Sequence, residues 1–216
     1  MKTKILEVQN LNKSYEEFSF GDFFLGRANK KNTIFKNFSL HLNKGEILGI
    51  SGKNGSGKTT LLKILSDHIS FNSGKINISN DIDIYYSSSN ERSFFWRLSL
   101  LENLRLFSLF SKKEINFFDR YIEEFLSKFR LLEFKDVEFM KLSSGQKKKA
   151  IIIKSLILNN DVYLFDEIAT NLDQTTKSEL YDILNTLCKK ELKSFIWVSH
   201  DKHEMNQICH RIINLD

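Results

Sequence analysis

Short apolar runs, broken by charged and glycine-containing segments, recur along this chain and set its pattern of elements. KILEVQ at 4–9 and FSLHL at 38–42 mix apolar and polar positions in the short, alternating manner of strands with one solvated face. EILGI at 46–50 is apolar almost throughout and ends at a glycine-rich turn, as a strand covered on both faces does. Helical spacing follows at once in LLKILSDHI (61–69), and strand character returns in KINIS and IDIYY. From about 91 to 140 the period is helical, first in LLENLRLFSLF and then in FFDRYIEEFLSKF. In the second of these, Phe118, Tyr121, Ile122, Phe125, Leu126 and Phe129 share one face opposite the charges, a stripe that belongs in a core rather than around a ligand. Beyond 140 a helix at 146–158, a buried strand at 162–165 (VYLF), a helix over TKSELYDILNTLCKK and a strand at 195–199 (FIWVS) alternate. Such alternation predicts a parallel sheet. Residues 16–33, EEFSFGDFFLGRANKKNT, break the pattern and read as a long loop or an extended hairpin.

A length of 216 residues suits one core with a sub-lobe. Hydrophobic residues at 41% and charged residues at 27% exclude a disordered chain. No run approaches the roughly 20 apolar residues of a spanning helix, and MKTKILEVQN has no apolar segment for secretion. The expected location is the cytoplasm, where Cys188 and Cys209, which lack metal-ligand or redox spacing, stay reduced. The net charge of +5 sits on a chain that also carries 27 acids, so a mixed solvated surface is expected and a nucleic-acid partner is not.

The turn after EILGI holds the most specific motif. GKNGSGKT, from Gly52 to Thr59, matches G-x-x-x-x-G-K-[ST] between a predicted strand and a predicted helix, the setting that motif needs. Gly52, Asn54, Gly55, Ser56 and Gly57 make a turn whose backbone N–H groups face phosphate. Lys58 then reaches the β and γ phosphates, Thr59 offers its hydroxyl to Mg²⁺, and Thr60 completes the binding set. VYLFDE places Asp166 at a strand's carboxyl end to hold the metal's hydration shell, and Glu167 one step on, facing a water near the γ phosphate. His200, in WVSHD, closes another strand at the edge where ligands bind in open α/β folds. KLSSGQKKK at 141–149 has the composition of a second anion site at a helix N-terminus, which raises the question of whose phosphate it holds.

Taken in order, Tyr15, the phosphate loop, the helical segment, LSSGQ from Leu142 to Gln146, VYLFDE, TNLD from Thr170 to Asp173, and His200 resemble the nucleotide-binding subunits of ATP-binding cassette (ABC) transporters over nearly the whole chain. The resemblance implies an α/β fold: a P-loop NTPase core with a mostly parallel sheet, an N-terminal antiparallel β region and a small α-helical subdomain. It implies a single domain over 1–216, with the core in 1–90 and 141–216 and the helical subdomain in 91–140. ATP and Mg²⁺ are the implied cofactors. The implied partners are a second copy or another ABC ATPase subunit, in a homodimer or heterodimer, and a separate transmembrane permease that keeps the cassette peripheral on the cytoplasmic face. Ser143, Gly145 and Gln146 of one cassette then meet the ATP held by the other, which answers the question raised by the second anion site. By the same resemblance Tyr15 stacks on adenine, Lys58 and Thr59 bind phosphate and Mg²⁺, Asp166 orients the metal, Glu167 is the general base, His200 senses the γ phosphate, and Asp173 lies at the dimer contact. The interrupted N-terminal region resembles exporters, and the end at RIINLD carries the expectation that no carbohydrate-recognition or regulatory domain is present. A soluble, non-transport ABC ATPase and a slow-turnover ATP-binding regulatory module are the alternative readings.

Three departures from the family pattern stand out. Ser144 replaces a usual glycine and Ile168 a common proline. The glutamine that contacts Mg²⁺ and couples to the membrane subunit is missing; aligning LSLLENL puts Asn90 in its place, with Ser89 or Glu91 as alternatives. Phe94, Phe95 and Trp96, beside Arg92 and Arg97, stand where relatives receive a helix of the transmembrane partner. Exposed, they would mark a docking patch; buried, they would move the docking elsewhere.

Overall fold

The computed structural model describes residues 3–17, 30–88, 93–111 and 115–216. Strands β1 (Lys4–Glu17), β2 (Lys30–Asn43) and β4 (Ser73–Ile78) form an antiparallel sheet in the order β2-β1-β4. Strands β3 (Ile47–Ser51), β5 (Ile84–Ser88), β6 (Val162–Asp166), β7 (Ser194–Val198) and β8 (Arg211–Asn214) form a second sheet, parallel at every pairing, in the order β5-β6-β7-β3-β8. The helices are α1 (Lys58–Leu65), α2 (Leu100–Ser108), α3 (Ile115–Lys128), α4 (Ser144–Ile157), α5 (Gln174–Glu191) and α6 (Lys202–Ile208).

The central strands read as unbroken apolar runs because each face of the parallel sheet meets a different core. Leu48, Ile50, Leu164, Ile196 and Val198 pack with α1 and the antiparallel sheet. Their neighbours Ile47, Tyr163, Phe165, Phe195 and Trp197 point the other way, into one cluster with α2, α3, α4 and α5. The helical segment therefore shares a core with the sheet. The predicted stripe lies in that core: Ile122, Phe125, Leu126 and Phe129 are buried and Tyr121 packs against them, while the Phe118 side chain lies outside the description.

Several elements differ in extent from the sequence expectation. The strands expected at 4–9 and 38–42 are parts of two 14-residue strands, paired as far as Glu17 with Lys30. The ends of the 16–33 segment are thus hairpin strand, and 18–29 lie outside the described residues. The helix expected to reach Ile69 stops at Leu65, because the Ser66 hydroxyl donates back to Leu62 O at 2.8 Å and Asp67 turns to φ 58. Neither α6 nor β8 was anticipated; both are short, with 7 and 4 residues.

Gly49, in the middle of β3, is where α6 comes closest. A Cβ there would stand 2.6 Å from Met205 Cε and 2.8 Å from Cys209 Sγ. Gly49→Ala is expected to destabilise the fold by about 1–3 kcal/mol through overpacking, read as a lower urea midpoint at unchanged slope.

Candidate functional site

Helix caps hold the loops that carry the candidate chemistry. Ser143 is the N-cap of α4: its hydroxyl accepts from Gln146 N at 3.2 Å, and Gln146 Oε1 accepts from Ser143 N at 2.8 Å. Asp173 caps α5 by accepting from Thr176 N at 2.8 Å, and Asp201 caps α6 by accepting from His203 N and Glu204 N at 2.9 and 3.2 Å. The Thr176 hydrogen bonds hold the Asp173 carboxyl below the ordinary carboxylate range. Helix α1 begins differently. Its N-cap is Gly57, left-handed at φ 97, and no side chain caps it, which leaves first-turn N–H groups for an external anion.

The phosphate loop is shaped around that free helix start. A Cβ on Gly57 would lie 2.5 Å from Ile34 Cγ2 and 2.9 Å from Phe35 Cζ, so only glycine allows β2 to close over the loop. At Gly55, φ 85, nothing lies within 4 Å of an added Cβ, and Asn54 beside it is exposed. Lys58 is buried and donates to Gly52 O at 2.7 Å and Lys53 O at 2.9 Å, so its ammonium is held over the loop by two carbonyls. The Ser56 hydroxyl is buried with no hydrogen-bond partner, an orphan that a phosphate oxygen would satisfy. Thr60 is half-buried one residue into the helix from Thr59.

Strand order brings Thr59 to Asp166 across 107 positions of sequence: the Thr59 hydroxyl donates to Asp166 Oδ2 at 2.8 Å. Among the described residues no three His, Cys, Asp or Glu side chains cluster as metal ligands. One hydroxyl and one carboxylate beside a phosphate cradle nevertheless fit Mg²⁺, which takes few protein oxygens and fills its octahedron with phosphate and water. Glu167, just past the end of β6, has φ 52, a backbone state that costs a non-glycine residue about 1 kcal/mol or more. Its N–H donates to Val198 O at 3.1 Å, and its Oε1 faces His200 Nδ1 at 3.6 Å, too long for a hydrogen bond. His200 is exposed and, with Gly52, Lys53 and Asn54, lines a cavity of about 630 Å³.

The signature residues stand apart from this cavity. Ser143 is exposed, nothing lies within 4 Å of a Cβ at Gly145, and neither they nor Gln146 line it. Ser144 is the first helical residue of α4, so serine in place of glycine brings no backbone strain. Tyr15 is exposed on β1 opposite Asn32, two residues from the Ile34 that abuts Gly57, with the Lys13 ammonium 4.5 Å from its ring centroid. Asn90, like Ser89 and Glu91, lies outside the described residues.

The ABC transporter family model matches residues 35–170. The chain belongs to the ABC transporter family. Among its relatives, ABC transporter A family member 11 of Dictyostelium discoideum is 34% identical over 206 residues, 86% of this chain and 24% of that protein. The lipoprotein-releasing system ATP-binding protein LolD of Buchnera aphidicola is 32% identical over 216 residues, 93% of this chain and 90% of that one. This ABC cassette thus spans about a quarter of the first relative and nine tenths of the second. The ATP-binding cassette MJ0796, dimeric in a post-hydrolysis state bound to ADP and phosphate, has the same fold at a TM-score of 0.79 and 23% identity, over 98% of this chain and 94% of that one. The chain is accordingly an ATP-hydrolysing cassette with the P-loop NTPase fold.

Contacts that sequence reasoning missed also shape the ABC cassette's site. Tyr86 on β5 donates its hydroxyl to Asp166 Oδ2 at 3.1 Å. Burial, and then the adjacent Asp166 charge, push that hydroxyl up, so it remains a donor. Alternation along IDIYYSS was the available signal, since it puts Tyr86 and Ser88 on one face and Ser88 pairs with Asp166. Glu204, buried on α6, accepts from Trp197 Nε1 at 2.9 Å and Lys177 Nζ at 2.7 Å, tying α6 to β7 and α5 on both sides of the His200 loop. Lys148 on α4 donates to Thr170 O at 2.6 Å, linking the signature helix to the TNLD turn. The aromatic stretch divides. Phe94 is 3% exposed and stacked on Phe139 at 4.1 Å, whereas Phe95 and Trp96 are 57% and 48% exposed, with the Lys147 ammonium 4.7 Å from the Trp96 ring centroid. Among the described residues no helix is long and apolar enough to cross a membrane.

Proposed function

We propose that this cassette, acting as one unit over 1–216, hydrolyses ATP at sites shared between two cassettes and so powers export through a separate transmembrane protein from the cytoplasmic face. The observation that carries the shared site is the position of Ser143: open to solvent at the start of α4, outside its own chain's phosphate-loop cavity. A partner's triphosphate would complete both half-sites. The export direction rests on the likeness to LolD over nearly the full length of both chains; proteins named as import subunits match as well. The exposed Phe95 and Trp96 support docking of a transmembrane partner's helix there.

In this reading Lys58 exchanges the Gly52 and Lys53 carbonyls for β and γ phosphate oxygens, and adenine stacks on Tyr15. Thr59 and Asp166 would hold Mg²⁺, which would supply charge neutralisation to the phosphates; Asn90, or Ser89 or Glu91 beside it, would stand in for the missing glutamine. Glu167 accepts the proton of a water that attacks the γ phosphorus in line, the bond from that phosphorus to the β–γ bridging oxygen breaks, and ADP leaves with that oxygen. His200 keeps contact with the γ phosphate, and Asp173 meets the opposing cassette.

Mixing two inactive variants tests the shared site. Ser143→Asp keeps a competent N-cap but sets a negative charge against the partner's γ phosphate, and Lys58→Ala empties the phosphate loop. Each alone should be inactive. In a mixed dimer one site keeps both Lys58 and Ser143, so mixing is expected to restore ATP hydrolysis. No restoration, with mixed dimers verified by tag pull-down, would refute sharing.

A further inference from the structure

We propose that Tyr86 is a positioning residue for the metal site: its hydroxyl, carried on β5 in register with β6, aims the Asp166 carboxylate at the cation that accompanies ATP. The inference rests on the ATPase reading and extends it to a residue outside the motifs.

Asp166 Oδ2 receives two hydroxyl donors from two different elements, Thr59 from α1 at 2.8 Å and Tyr86 from β5 at 3.1 Å. The two donors have different duties. When Thr59 turns a lone pair to a cation, its hydrogen can stay on Asp166, but the hydroxyl then follows the cation's movement. Tyr86 has no such freedom. Its ring is half-buried, packs against the core between the parallel sheet and α1, and makes an edge contact with His68 at a centroid distance of 5.6 Å. Its strand is pinned on the other face as well, where the Ser155 hydroxyl of α4 donates to Ser87 Oγ at 2.9 Å. Tyr86 pairs in register with Leu164, one pleat below Asp166, so a tyrosine is long enough to reach the carboxylate while a phenylalanine of the same shape provides no donor. A carboxylate at the end of a strand can rotate about its terminal bond. Outer donors of this kind fix first-shell ligands, and losing one typically lowers metal affinity by ten- to a hundredfold.

The test is Tyr86→Phe in the full chain, with Ser87→Ala as the control that disturbs the same strand without touching Asp166. Binding of a fluorescent ATP analogue is titrated with Mg²⁺ and, separately, in excess chelator. Tyr86→Phe is expected to raise the Mg²⁺ concentration for half-maximal binding by about tenfold, with metal-free nucleotide affinity unchanged within about twofold. Ser87→Ala is expected to leave both at wild-type values, even where it lowers the melting temperature. An unchanged Mg²⁺ midpoint in Tyr86→Phe, or an equal shift in Ser87→Ala, overturns the inference and leaves the ATPase reading standing. A wild-type chain that binds no nucleotide in either condition overturns both.

Discussion

Glu167→Gln is expected to lower steady-state ATP hydrolysis by about a thousandfold, within the range attributed to a general base, while MgATP affinity stays within a few-fold. The amide is nearly isosteric with the carboxylate and suits the same backbone at φ 52 as well as glutamate does, so the loop keeps its shape. It removes one capacity, that of accepting a proton from the attacking water. The groups proposed to bind phosphate and metal, the Lys58 ammonium held at the loop and the Thr59–Asp166 pair, make no contact through Glu167 and should keep their places. Because binding survives while turnover stops, the closed state should accumulate. Size-exclusion chromatography at saturating ATP and Mg²⁺ is expected to move the variant from monomer to dimer. Equal, negligible turnover in wild type and variant would replace the enzyme with a slow binding module; a variant that stays monomeric would count against the two-cassette site.

Lys58→Ala is expected to weaken ATP binding by about a hundredfold, measured by isothermal titration calorimetry. The amine is buried and already points along the loop, so its removal takes away charge-assisted hydrogen bonds to phosphate worth roughly 3 kcal/mol together. Without nucleotide the variant loses two hydrogen bonds to Gly52 O and Lys53 O. Gly52 and Lys53 line the cavity, so water can reach the loop and take the place of the ammonium, and thermal stability should change little. A loss of binding below about threefold would show that the loop's backbone N–H groups carry the affinity without the lysine.

The motifs were legible because they are local. GKNGSGKT prescribes its own turn, and its glycines sit at φ 150, 85 and 97 where the loop needs them. LSSGQ contains both members of a capping box, so the start of α4 is written in five residues. The apolar runs of β3, β6 and β7 were equally plain, since a strand covered on both faces shows as continuous hydrophobicity. Less was legible where the signal was short or divided. Seven residues of α6 hold too few turns for a period, and FFW gave no indication that Phe94 would go inward while Phe95 and Trp96 stayed out.

By itself, then, the amino-acid order determined the phosphate loop, the acids after VYLF, the signature cap and the α/β class, because periodicity, glycine conformations and caps act over a handful of neighbouring residues. Tertiary structure alone decided the order β5-β6-β7-β3-β8 and, through it, which distant groups meet: Thr59 and Tyr86 on Asp166, and Trp197 and Lys177 on Glu204. The reason is that a polar group entering the interior must find whichever donor or acceptor the packed sheet brings within about 3 Å, and that choice depends on all the strands at once.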